Sequence, residues 1–145
     1  MTAACIEPHA PRATYLFPEG YVGWTRVDYH VKDASKLSIE DGRQIYRFPP
    51  SGYLQTSSGL EFGRGRDVTY FYYSGDNRRA LEEKGMIWVG PSNRPEKDAG
   101  EYYQYIFVGP KELYEQNHDR PFRLNEQGVF VRNDQLPKVG PLSVN

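Results

Sequence analysis

The chain has 145 residues, 38% of them hydrophobic and 26% charged, which is enough for one domain that buries a core without metal or disulfide. Its formal charge of −1 gives no overall field to gather nucleic acid or anionic lipid, and its one cysteine, Cys5, excludes an internal disulfide. Aromatic residues reach 14%, led by 12 tyrosines, and tyrosine suits half-buried sheet positions where the ring packs and the hydroxyl stays wet.

Residues 1–12 read as a tail, and the folded part is expected to begin at Ala13. "ATYLF" is a first short strand, closed by a turn at Pro18-Glu19-Gly20. The run "YVGWTRVDYHV" then alternates, placing Thr25, Val27, Tyr29 and Val31 on one face and Trp24, Arg26, Asp28 and His30 on the other. That is the pattern of a half-buried strand with a wet outer face. "KDASKLSIEDG" is a connection ending in the Asp41-Gly42 turn signal. "RQIYRF" follows as a strand, Pro49 to Gly52 break it, and "YLQTSS" resumes it. Further strands are expected over Val68–Tyr73, then at "GMIWVG", "EYYQYIFVG" and "GVFVRN", with a turn at Ser74-Gly75-Asp76 and a long exposed loop at "PSNRPEKDAG". "PKELYEQN" is the one helix, with proline in its first turn and acids early.

About eight short strands with turn signals every 8–12 residues predict a mainly β fold, an antiparallel β-sandwich or small barrel of residues 13–145. Parallel α/β architecture is disfavoured, because helices are missing between the strands. Within this pattern "YLFP" at Tyr15 recurs as "YRFP" at Tyr46, each followed by a turn and Gly-Tyr. Two copies do not make a solenoid. The echo reads as a repeated strand, corner and strand.

Three resemblances attach to these residues. "TAAC", ending at Cys5, resembles the lipobox at which bacterial lipoproteins are cleaved and lipidated; the match implies lipid attachment at Cys5 and an apolar signal encoded upstream of Met1, or it is chance. "EDGRQIYRFPPSGYLQT" is similar to the prealbumin-like domains of carboxypeptidase regulatory modules, through Asp41, Gly42, Tyr46, Phe48, Pro50, Gly52 and Tyr53. More broadly, "PEGYVGWTRVDY", "IEDG", "PPSGYLQTSS", "YFYYSGD" and "FVGPKEL" resemble an uncharacterised bacterial lipoprotein-like family. That resemblance implies an extracytoplasmic address and brings no catalytic residues with it.

Chemistry is sparse. His9, His30 and His118 lie far apart without ligand spacing, although Asp28 shares a strand face with His30 and Asp119 stands beside His118. No metal site and no cofactor are expected. Serines sit in turns, Glu82 and Glu83 are adjacent on an exposed stretch, and "GRGR" at Gly63–Arg66 lacks the Lys-Ser/Thr of a phosphate loop. The aromatic surface carries the functional expectation. "YFYY" sets Tyr70 and Tyr72 on one face, "YYQY" separates Tyr103 and Tyr105 from Tyr102, and one core cannot bury both faces unless the helix covers part of the outside. Trp24, Arg26, Tyr70 and Tyr72 are therefore the candidate binding platform, with Arg64 or Arg66 nearby. The alternative is that cross-strand tyrosine pairs simply stabilise the sheet. The resulting expectation is a non-enzymatic binding or structural module of the bacterial cell envelope. Its partner would be a protein or a glycan, with no nucleic acid, and membrane contact only through a lipid anchor. A carbohydrate-binding module using the platform is one alternative, and an enzyme with a site assembled from scattered residues is another.

Overall fold

The computed structural model describes residues 12–59, 67–93, 100–118, 122–132 and 136–142. In chain order the elements are β1 (Arg12–Pro18), β2 (Gly23–Tyr29), β3 (Ser38–Glu40), β4 (Arg43–Arg47), β5 (Tyr53–Gln55), β6 (Val68–Ser74), β7 (Asn77–Ala80), β8 (Ile87–Ser92), β9 (Tyr102–Val108), α1 (Lys111–Asn117), β10 (Phe122–Leu124), β11 (Phe130–Arg132) and β12 (Gly140–Pro141). The first sheet has the order β3-β4-β1-β6-β7. The second runs β12-β2-β9-β8, with β5 also paired to β2, and β10 and β11 form a separate hairpin. The fold is mainly β, with two mixed sheets and one short helix, and neither sheet closes into a barrel.

The pairing departs from a wholly antiparallel sandwich in three strand pairs. β1 has parallel neighbours on both sides, β4 and β6, and β2 pairs β5 in parallel. The Tyr-x-Phe-Pro echo accounts for two of these pairs, β1 with β4 and β2 with β5. Tyr15 lies in register with Tyr46, their rings stacked at 4.3 Å, and Phe17 stacks on Phe48 at 4.9 Å. After each proline the chain crosses to the second sheet, where β2 and β5 again run side by side. Two strand-corner-strand units thus lie parallel, one upon the other. A central strand buried on both faces reads as a continuous apolar run rather than an alternating one. "ATYLF" is such a run, and all five residues are buried.

One core fills the space between the sheets. Tyr15, Phe17, Tyr46, Phe48 and Tyr72 face it from the first sheet, and Val27, Tyr29, Tyr102, Ile106 and Val108 from the second. Tyr21, Tyr29, Tyr46 and Tyr72 keep their hydroxyls bonded there, as burial requires. Tyr29 shares a 3.1 Å hydrogen bond with Tyr46, Tyr21 donates to the Trp24 carbonyl at 2.7 Å, and Tyr72 donates to that of Tyr21 at 2.8 Å. Gln104 also points inward, at a break in register between Val89 and Ser92 of β8. There its amide donates to the Gly90 carbonyl at 3.1 Å, within the irregular stretch of the ladder.

A second apolar cluster lies on the outer face of the second sheet. Trp24, Tyr105 and Phe107 are buried there under Leu113 and Tyr114 of α1, with Trp88 beside them. Trp88 and Tyr114 stack at 4.7 Å. Gly90 makes room for the indole, since a β-carbon at that position would meet Trp24 Cζ3 at 2.4 Å. Among the described residues no helix is long and apolar enough to cross a membrane.

Candidate functional site

The expected platform is not assembled. Trp24 is 3% exposed and Tyr72 is 4% exposed, on opposite sides of the second sheet: Trp24 beneath α1, Tyr72 in the core between sheets. Tyr70 also turns toward that core and stacks on Tyr15 at 5.4 Å. Alternation along "YFYY" is as expected; what differs is that the face bearing Tyr70 and Tyr72 is the inner one. Trp24 does lie on the outer face of β2, yet the helix lies over it and its indole donates to the Asn117 carbonyl at 3.0 Å. Arg64 and Arg66, with the "GRGR" stretch, fall outside the described residues, as do Cys5, His9 and Asp119.

Arg26 remains, and the structure gives it a different set of partners. On the outer face of the second sheet, β2 presents Arg26 and Asp28, β5 presents Tyr53, and β9 presents Tyr103 and Tyr105. The guanidinium donates from Nε to Asp28 Oδ1 at 2.7 Å and from Nη1 to the Tyr105 hydroxyl at 3.0 Å. Its carbon lies 4.6 Å from the centroid of Tyr103, 5.4 Å from that of Tyr105 and 5.6 Å from that of Tyr53. The Tyr53 hydroxyl donates to the second Asp28 oxygen. One cation is therefore held by a carboxylate and three rings, a charge-assisted bond with added cation–π attraction.

The electrostatics follow from this packing. Burial opposes the charge on Arg26, but the bonds to Asp28 and Tyr105 outweigh it, so its pKa is raised above the ordinary value. Burial also raises the Tyr53 phenol above its ordinary 10.0, and the bond to Asp28 adds to this, with Arg26 pulling the other way. The neutral phenol and the charged guanidinium are thus the forms the site selects.

Beside this cluster is a cleft of about 210 Å³ lined by Arg26, Asp28, Asn93, Glu101, Tyr102 and Tyr103. Asn93 accepts from the Tyr103 amide at 2.6 Å through Oδ1, which fixes its side chain at the rim. The sequence pattern placed Arg26 on the wet face and set Tyr103 with Tyr105 on one face of their strand, but missed Tyr53, Asn93 and Glu101, which pairing and loop return bring in from distant segments. His30, placed by the alternation on the same strand face as Asp28, instead leaves the strand at φ 57° and faces the Gly100 carbonyl at 3.2 Å. Both Asp28 oxygens are taken by Arg26 and Tyr53. Among the described residues no group of three or more histidine, cysteine or acidic side chains is placed to hold a metal ion.

A larger hollow of about 490 Å³ lies between the end of α1 and the segment Leu136–Leu142, with Trp24 at its floor and His118 and Lys138 among its walls. The Arg26 cleft is smaller but chemically more organised, because its polar groups are held in place by one another.

Comparison with known proteins bears on family and fold. Residues 9–118 match the model of a family described as "Family of unknown function (DUF6843)". A crystal structure of a "putative lipoprotein" from Bacillus anthracis is similar to this chain, with a TM-score of 0.62 and 18% identity over 89% of this chain and 85% of that one. At that identity the likeness is one of fold. No curated protein matches.

Proposed function

The chain belongs to the family of unknown function DUF6843, and from its site we propose that it is a non-enzymatic recognition module of the bacterial cell envelope, held outside the membrane by lipid on Cys5. The Arg26 cleft on the outer face of the second sheet is its binding surface. The observation that carries the binding reading is the Arg26 cage: a guanidinium fixed by Asp28, Tyr53, Tyr103 and Tyr105 beside a cleft with polar walls. Preorganised polar groups next to aromatic faces reduce the ordering cost of binding. The address rests on separate support, the small residues before Cys5 and the fold shared with a protein called a putative lipoprotein.

Anchoring is tested by expressing the gene with its native upstream region in a bacterial host fed an alkyne-bearing fatty acid. The wild-type protein should take up label and sediment with membranes, and Cys5→Ala should do neither. Label-free wild-type protein in the soluble fraction would end the anchoring claim and leave the cleft to be judged by binding.

A further inference from the structure

Resting on the reading of the Arg26 cleft as the recognition surface, we propose that its ligand is a neutral saccharide, bound as one ring against Tyr103. Charge is the first argument. Arg26 and Asp28 are paired at 2.7 Å, so neither offers a free charge to an incoming ion. Glu101, exposed at the rim, makes an anion unwelcome.

Hydrogen-bonding capacity is the second argument. A guanidinium has five N–H donors, and Arg26 commits its Nε to Asp28 and one Nη1 hydrogen to Tyr105. Among the described residues, donors on Nη1 and Nη2 remain. Asn93 uses its oxygen on the Tyr103 amide, which leaves its NH₂ turned the other way. Glu101 at the rim supplies an acceptor. Fixed donors and acceptors stand side by side, and a sugar hydroxyl both donates and accepts, so vicinal hydroxyls match this alternation. A simple cation has no use for the donors, and a simple anion has none for the carboxylate.

Shape is the third argument. Tyr103 is half-buried, and an aromatic ring packs against the C–H face of a pyranose as it packs against other apolar groups. A cleft of about 210 Å³ lies below the roughly 300–1,000 Å³ of sites for drug-sized ligands. It has room for one ring, a chain end or a single residue of a longer glycan. Its rigidity comes from the cage, since Tyr53 is tied to Asp28 and Arg26 is held by Asp28 and three tyrosines.

The test is a titration of the ¹⁵N-labelled 145-residue chain, read by backbone and side-chain amide shifts. The probes are methyl glycosides of glucose, galactose and N-acetylglucosamine, with tetramethylammonium chloride, sodium sulfate and a blocked trialanine peptide as comparisons. At least one glycoside should give saturable shifts at the Asn93 amide, the Arg26 Nε–H and the Tyr103 amide. Tyr103→Ala should weaken that binding about tenfold or more, and Asn93→Ala should weaken it with the rest of the spectrum unchanged, which separates lost contact from lost fold. Shifts at these residues with a charged probe or the peptide, and none with a glycoside, overturn the saccharide and keep the recognition surface. Silence at these residues with every probe overturns both.

Discussion

Both outer faces of this molecule carry arginine against tyrosine, yet the two faces use the contact differently. On the first sheet the arginines act as struts. Arg47 reaches from β4 across β1 to lie 4.0 Å from the centroid of Tyr73 on β6, and Arg43 crosses the same strand to donate to Asp67. Arg78 on β7 pairs with Glu40 on β3, at 2.9 Å. These are opposite edges of one sheet, four strand spacings of about 4.8 Å apart if it were flat. Such a pair requires a strongly coiled sheet, which agrees with the burial of Leu16 at its centre. On the second sheet a single arginine is enclosed, with its carboxylate partner 8% exposed. The lesson is that exposure decides what an arginine–acid contact is worth: struts in water add little, and a caged pair fixes geometry.

The largest expected effect breaks the cage. Asp28→Ala leaves a half-buried guanidinium and the Tyr53 hydroxyl without their acceptor, and should cost about 2–4 kcal/mol in urea unfolding. Gly90→Ala comes next, at about 1–3 kcal/mol, because the new methyl group meets Trp24 and the indole must shift. Tryptophan fluorescence should move with it. Tyr53→Phe should cost about 1 kcal/mol by removing one bond to Asp28. The smallest effect belongs to the strut side: Glu40→Ala should change stability by less than about 1 kcal/mol and fade with salt.

Alkaline pH sharpens the same contrast. Tyr21, Tyr53 and Tyr72 have phenol pKa values raised by burial, while the unfolded chain ionises them near 10. A folded-state pKa above the unfolded one contributes stability that is complete below about pH 10 and is lost as pH rises beyond it. Urea midpoints should therefore hold up to about pH 9.5 and fall above it. Tyr53→Phe, lacking one of these phenols, should show the shallower fall.

Much of the fold was legible in the chain because its signals are local. Glycine and proline marked the corners, alternation marked β2 and β6, and Pro110 stands just before the helix at Lys111–Asn117. The short strands β3 and β12 were not legible, since Ser38–Glu40 is exposed throughout and Gly140–Pro141 has no periodicity to read. Parallel pairing was hidden for another reason. Strand patterns report which faces are buried and not which neighbour lies alongside; only the Tyr15 and Tyr46 echo hinted at it. The site was half legible. Arg26 stood on the correct face, but Trp24 looked wet until α1 covered it. Tyr53, Asn93 and Glu101 join it through contacts distant in sequence, which no local pattern carries.

The claim that the cage fixes Arg26 is tested most directly by ¹⁵N relaxation of the arginine Nε–H groups. Arg26 should have an order parameter near the roughly 0.85 of rigid backbone, with Arg78 and its β7 neighbour Arg79, which pairs with Glu19 on the exposed surface, below about 0.6. An Arg26 as mobile as Arg79 would contradict the account, because the cleft would then have no fixed donor to offer.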